Sequence, residues 1–226
     1  MLPYSVERDG FSAAEGLLSE PEIDSLLSFV EQNIAAEGLR GGARNLLDFP
    51  IMRELAESSS IRKEVLAVLG ENARVVRGIL FDKTEGANWK VPWHQDVTIA
   101  VSQRIEANGF GPWSSKAGVL HVQPPASVLE RMISIRLHLD DCPEENGALR
   151  VIPGSHINGK LDERLVQEFA ARSIAVTCPT RSGDALIMRP LLLHASSASS
   201  VPGHRRVIHL DYAAVELPAG MNWAVS

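Results

Sequence analysis

The sequence predicts a mainly β fold with flanking helices, a double-stranded β-helix of the jelly-roll, cupin-like kind. Helical patterning is confined to the first third of the chain and to one later stretch. From Arg74 onward, short β-branched runs are separated by Gly, Pro and Asn, the texture of strands joined by turns. Helices first and antiparallel strands afterwards is an order that a jelly roll accommodates while closing off its sheet edges.

The elements follow in order. Ser19-Glu20-Pro21-Glu22 reads as a helix start, with a capping serine, a proline in the first turn and a glutamate three residues on. Ile23, Leu26, Leu27, Val30 and Ile34 then recur at helical spacing until Gly38, so this helix should lie against a sheet. Pro50 to Glu57 and Ser60 to Leu69 read as two shorter helices; the second lines up Ile61, Val65, Leu66 and Leu69 and stops at Gly70. Strands are expected at 74–82, 97–104, 118–123, 132–140, 147–152, 173–178, 183–188 with 191–195, and 205–215. One more helix is expected at Leu161 to Arg172. Asn146-Gly147 reads as a tight hairpin turn with positive φ, and Pro153-Gly154-Ser155-His156 closes the strand after it. Residues 1–226 are expected to form one domain, with 1–70 as helical support and 74–215 as the jelly-roll core.

The totals narrow the function. At 45% apolar and 22% charged, the composition is that of a globular protein. A net charge of −6, no basic block and only two tyrosines give no support for a nucleic-acid surface, so small molecules are the expected partners. Cys142 and Cys178 form neither a disulfide framework nor a zinc spacing and read as buried free thiols. Met1 to Gly10 lacks the pattern of a signal peptide, and no stretch approaches the ~20 apolar residues of a membrane span. A cytoplasmic location with no membrane partner is the expectation.

The chemistry concentrates at Trp93-His94-Gln95-Asp96. On a strand, His94 and Asp96 point to the same side and can grip one metal ion. A second histidine from a distant strand would complete a two-histidine, one-carboxylate face with open positions, the mark of non-haem iron oxygenases. An isolated H-x-D is more often a solvated surface pair. Here Val97, Ile99 and Val101 follow at strand spacing, and His194 offers a third ligand after the apolar run Leu191-Leu192-Leu193. Ser196 lies two residues beyond His194, and Arg205 eleven, so a hairpin could bring the three together. A guanidinium fork beside a hydroxyl is suited to holding a carboxylate. Arg205 and Arg206 must point opposite ways on a strand, and alternation alone does not choose between them.

The chain resembles the phytanoyl-CoA dioxygenase family of iron(II)- and 2-oxoglutarate-dependent oxygenases. The resemblance rests on Trp93-His94-Gln95-Asp96, on Asn146-Gly147-Ala148-Leu149-Arg150-Val151-Ile152-Pro153-Gly154-Ser155-His156, and on Gly183-Asp184 leading to His194, Ser196 and Arg205, in family order over roughly residues 70 to 215. It implies His94, Asp96 and His194 as iron ligands and Ser196 and Arg205 as contacts to 2-oxoglutarate; the family arginine, eleven residues after the distal histidine, is Arg205. His156 is implied to be structural or beside the iron site rather than a ligand. A carboxylate ligand occupies the place that an iron halogenase leaves for halide, which favours oxygenation.

One departure concerns substrate. Where the acyl-CoA-acting members carry a tryptophan near 2-oxoglutarate, this chain has Arg136, in Ile135-Arg136-Leu137-His138. Such an arginine is costly to bury without an anion. It either joins the cosubstrate site, meets an acidic group on the substrate, or pairs with Asp140 or Glu144. Arg44-Asn45 after Gly41-Gly42, Lys83 and Asn88-Trp89 form an expected polar pocket wall, and Trp113, Lys116 and His121 lie where a lid over the barrel would be.

The reading is an oxygenase that uses dioxygen, iron(II) and 2-oxoglutarate, with ascorbate as reductant in the assay, to hydroxylate an aliphatic C–H bond. The arginines point to a small acidic substrate bearing a carboxylate or phosphonate. Two readings compete with it: a jelly-roll module that binds a ligand without turnover, and another metal-dependent cupin-type enzyme such as an isomerase. Asp96 and Arg205 argue against both, since neither needs a seat for the cosubstrate carboxylate.

Overall fold

The computed structural model describes residues 4–34, 42–84, 88–200, 203–218 and 220–225; the expected helix stop at Gly38, and Gly41, lie outside them. The N-terminal third builds the support. After β1 (Phe11–Ala14), helix α1 (Glu20–Asn33) begins where the Glu22 carboxylate accepts from the Ser19 N–H at 2.8 Å and hydroxyl at 2.5 Å. It buries Ile23, Leu26 and Val30. β2 (Ala43–Arg44), α2 (Pro50–Ala56) and α3 (Ser59–Leu69) follow, α3 ending at Gly70 with φ +77°.

The remaining elements are β3 (Arg74–Lys83), β4 (Val91–His94), β5 (Ile99–Val101), β6 (Trp113–Lys116), β7 (Val119–Val122), α4 (Ala126–Leu129), β8 (Met132–His138), β9 (Leu149–Val151), α5 (Glu163–Arg172), β10 (Val176–Cys178), β11 (Ala185–Met188), β12 (His194–Ser196) and β13 (Arg205–Ala213). They pair into a six-stranded sheet β1-β11-β8-β13-β3-β2, a four-stranded sheet β10-β9-β12-β4 and a three-stranded sheet β5-β7-β6. Side chains of the first two sheets line one cavity between them. This is the mainly β, jelly-roll architecture that the strand texture implies.

Strand alternation sorts the six-stranded sheet. Its outer face gives Leu80, Ile133, Ile135, Leu137, Ile208, Leu210 and Tyr212 to a core shared with Ile23, Leu26, Val30, Met52, Ile61 and Val65 of the helices. Burial contributes about 1.5–3 kcal/mol for each large side chain, and truncating Leu210 to Ala would cost about 2–5 kcal/mol. The Tyr212 hydroxyl fixes the sheet to α2 by donating to the Ala56 carbonyl at 2.8 Å. The inner positions of the same strands, Arg77, Lys83, Ser134, Arg136, His138, Arg205, His209 and Asp211, are polar.

Several expected strands are corrected. The stretch 97–104 shortens to Ile99–Val101 and pairs in the three-stranded sheet, outside the two facing sheets. Strands at 147–152 and 173–178 contract to Leu149–Val151 and Val176–Cys178, the length over which they pair with each other. Leu191, Leu192 and Leu193 are buried but lie in a turn, since an apolar run reports burial and not extension. β4 ends at His94, so His94 and Asp96 do not share a strand; the Asp96 N–H instead donates to the Pro190 carbonyl at 2.8 Å. Gly147 does take φ +69°, but it ends a 3-10 turn at Glu144–Asn146, and β8 and β9 lie in different sheets. No hairpin joins β12 to β13 either; they meet across the cavity from opposite sheets.

Candidate active site

His194 and His94 are direct cross-strand partners in the β12–β4 pair, with ring centroids 4.1 Å apart. Each ring is fixed by its own strand: His94 Nδ1 lies 2.8 Å from the Pro92 carbonyl and His194 Nδ1 2.9 Å from that of Leu192. A carbonyl can only accept, so each Nδ1 carries a proton and each Nε2 is the ring atom turned toward a metal. Both Nε2 atoms face Asp96, at 3.9 Å from Oδ1 for His94 and 3.6 Å from Oδ2 for His194. Burial and the neighbouring His94 hold His194 well below the ordinary histidine range. For Asp96 burial acts upward, but the facing His194 and His94 outweigh it and leave its carboxyl below the usual range. The donor atoms of the three residues lie within 4.8 Å of one another, a set that could hold one divalent ion and fits ferrous iron.

Gln95 and Ser155 keep this geometry in place. Gln95 donates to the carbonyls of Leu191 at 2.7 Å and Gly159 at 2.8 Å and accepts from Leu161 N–H at 2.8 Å, tying the segment before His194 to the one carrying His94. Ser155 Oγ accepts from Leu193 N–H at 2.8 Å. His156, one residue on, turns away, its Nε2 3.1 Å from the Glu7 carbonyl, and pins the N-terminal segment.

A cavity of about 150 Å³ opens on these three residues. At one end the wall is formed by Lys83, Arg136, Arg205 and Ser196. Arg205 bonds the Gly147 carbonyl, while Lys83 Nζ reaches Ser196 Oγ at 3.1 Å and the Ser197 carbonyl at 2.7 Å. Burial, with the Arg205 charge adding to it, pushes the Lys83 ammonium down to about 7 and Arg136 down to about 10. Among the described residues, the buried Nε atoms of Arg136 and Arg205 have no hydrogen-bond partner. Two buried guanidinium groups with unused Nε donors, beside Lys83, fit a carboxylate. Arg136 pairs with neither Asp140 nor Glu144: its Nη1 lies 3.1 Å from His209 Nδ1 and its guanidinium 5.6 Å from the Phe81 ring centre. Asp140 is taken by Arg206, which faces away from the cavity.

Of the expected pocket wall, Arg44, Lys83 and Trp89 line this cavity, and so does Lys116 of the expected lid. Asn45 and His121 line a smaller one of about 30 Å³ beside it. Asn88 is a loop clasp, exchanging hydrogen bonds with Ser199, and Trp113 packs under the Arg104 guanidinium. Sequence reasoning missed Arg77, Thr98 and His209 on the cavity wall and Asp211 behind it. Asp211 accepts from Arg77 Nε at 2.5 Å, Ser134 Oγ at 2.6 Å and His209 Nε2 at 2.8 Å. Burial opposes ionisation of Asp211, but Arg77 and His209 overcome it and lower its pKa. The available signal was period two along β3, where Arg77, Ile79, Phe81 and Lys83 share the cavity face.

Comparison with known proteins gives the chain's family and shared fold. The L-proline trans-4-hydroxylase of Streptomyces griseoviridis is 29% identical over 155 residues, covering 57% of this chain and 49% of that protein. The ectoine dioxygenase of Streptomyces coelicolor is 29% identical over 157 residues, covering 67% of this chain and 49% of that protein. The chain thus spans about half the length of the curated relatives it matches. Among solved structures, the epimerase SnoN in complex with Fe3+, alpha ketoglutarate and nogalamycin RO superposes with a TM-score of 0.71 at 20% identity, over 95% of this chain and 88% of that one, and so shares the fold. The family model for phytanoyl-CoA dioxygenase matches residues 6–207. By that match, the chain belongs to the phytanoyl-CoA dioxygenase family.

Proposed function

We propose that this protein is an iron(II)- and 2-oxoglutarate-dependent oxygenase that hydroxylates an aliphatic C–H bond of a small molecule, acting through a single domain over residues 1–226. The observation that carries the reading is the convergence of two Nδ1-protonated imidazoles and one carboxylate beside a cavity end held by three cations. In this assignment His94, Asp96 and His194 hold the metal. Arg205, Ser196 and Arg136 hold the cosubstrate, and Lys83 joins them. When bound, iron and 2-oxoglutarate supply the oxidising chemistry: dioxygen is consumed, 2-oxoglutarate leaves as succinate and carbon dioxide, and one oxygen atom is inserted into the substrate.

The chain's own part is positional. The Pro92 and Leu192 carbonyls hold each ring by its Nδ1–H and so present each Nε2 to a metal. Lys83 donates to Ser196, which leaves the serine hydroxyl hydrogen free for a carboxylate. Ile79, Phe81, Val91 and Leu149 give the cavity apolar walls that limit water around the reacting carbon. No side chain is needed as a general base.

The relatives named as hydroxylating proline and as an ectoine dioxygenase support a substrate of metabolite size. Two buried free thiols, Cys142 and Cys178, support a reducing, cytoplasmic setting, and no helix among the described residues is long and apolar enough to cross a membrane. The test is succinate formation from 2-oxoglutarate with ferrous ion and ascorbate. Slow turnover without substrate that disappears in His94→Ala is the expected result; failure of the metal-loaded protein to bind 2-oxoglutarate eliminates the reading.

A further inference from the structure

The end of the cavity remote from Lys83 carries a second cation cluster that the cosubstrate does not use. Arg77 and Lys83 both point inward from β3 but stand six residues apart, about 20 Å along the strand. Around Arg77 lie Arg44, on β2 opposite Ile79, and Lys116, on β6. Thr98 joins the group: its hydroxyl accepts from Lys116 Nζ at 3.1 Å and its carbonyl from Arg77 Nη1 at 3.5 Å.

The charges do not balance. Arg77 is matched by Asp211, at 2.5 Å. Among the described residues no carboxylate lies within 4.0 Å of Arg44 or Lys116, although burial and the neighbouring cations disfavour the charge on both. Among the described residues Asp96 is the one acid on the cavity wall, and a metal would take its charge. Two partly buried like charges side by side are costly unless an anion meets them.

The enclosed volume helps to say which anion. About 150 Å³ has room for on the order of five waters at ~30 Å³ each, a space that a five-carbon diacid such as 2-oxoglutarate takes up. A substrate therefore lies at the mouth, where Arg44 and Lys116 are only partly buried. Thr98 follows Asp96 by two residues, at most ~7 Å of chain.

We propose that the substrate is a small organic oxyanion, a carboxylate or phosphate-type acid, whose anionic group is held by Arg44 and Lys116 with Arg77 and Thr98 behind them. This rests on the oxygenase reading, because it takes the Lys83 cluster to be filled by the cosubstrate. The test uses the full chain with ferrous ion and saturating 2-oxoglutarate under anaerobic conditions. Calorimetric titration with inorganic phosphate, methylphosphonate and a set of small amino and hydroxy acids should give saturable binding by one class, weakening as salt is raised. Arg44→Met and Lys116→Met, on different strands, should each weaken it about tenfold or more, Arg44→Lys less, and exposed Lys63→Met not at all. All should bind 2-oxoglutarate within twofold of the parent. If the parent binds 2-oxoglutarate but none of these anions at millimolar concentration, or binds them equally well in both Met variants, the cluster is not a substrate site. If 2-oxoglutarate itself does not bind, the oxygenase reading fails instead.

Discussion

Lys83 gives the sharpest test of the cosubstrate pocket. Its ammonium is enclosed between Ser196 Oγ, at 3.1 Å, and the Ser197 carbonyl, at 2.7 Å, and burial beside Arg205 lowers its pKa from 10.5 to about 7. At pH 8 only about a tenth of the free protein therefore carries the charge. A carboxylate entering beside Lys83, Arg136 and Arg205 restores the charged form, so binding at pH 8 should take up roughly 0.9 proton. The sign follows: the complex holds more protons than the free protein, so affinity falls as pH rises. The fall should approach tenfold per pH unit above ~7.5 and level off beyond the lysine pKa of the complex. Calorimetry of 2-oxoglutarate binding to the anaerobic iron form, in two buffers of different ionisation enthalpy, reads the uptake directly. In Lys83→Met both the uptake and the pH slope should vanish. Uptake near zero in the parent, or undiminished in Lys83→Met, would refute the assignment of Lys83 to the cosubstrate.

Three further perturbations probe the shell around the site. Asp211→Asn leaves Arg77 buried without its counter-charge and should lower stability by about 3–5 kcal/mol, some 6–20 °C in melting temperature. Because the folded pKa of Asp211 is depressed, its stabilisation is present above the ordinary carboxyl value of 3.8 and lost on acidification, so the variant should also flatten the acid limb of the stability curve. Gln95→Leu removes three hydrogen bonds that tie the segments carrying His94 and His194; metal affinity, measured by chelator competition, should drop about 10–100-fold with little change in far-UV dichroism. Gly147→Ala would place a Cβ 2.5 Å from the Ser197 carbonyl at φ +69°, and Gly147 holds Arg205 through its carbonyl. Denaturant titration should show a loss of about 1–3 kcal/mol, and KM for 2-oxoglutarate should rise more than kcat falls.

Local chemistry was legible wherever one segment carried its own signal. The Ser19–Glu22 helix start, the stop at Gly70 and the left-handed Gly147 follow from backbone rules that act over four residues or fewer. Strand ends were harder to place, because they depend on which partner pairs and for how long: 97–104 became Ile99–Val101 when its neighbour proved to be β7. The inner face of the large sheet was hidden for another reason. Along β13, Arg205, His209 and Asp211 alternate with Arg206, Ile208, Leu210 and Tyr212, the pattern of a strand with one solvated face. A polar cavity inside a jelly roll and open water leave the same period of two, and only closure of the second sheet over the first tells them apart.

By itself the sequence determined the β-rich architecture, the helical support and the residue types able to bind a metal and a diacid, because hydrophobic period and side-chain chemistry are properties of short stretches. The tertiary structure alone decided that His94 stands opposite His194 across one strand pair, that Arg205 turns inward while Arg206 pairs with Asp140, and that Arg44, Arg77 and Lys116 gather at one mouth. These are meetings between segments up to about a hundred residues apart. Their register is set by how two sheets pair and face each other, which no local pattern encodes.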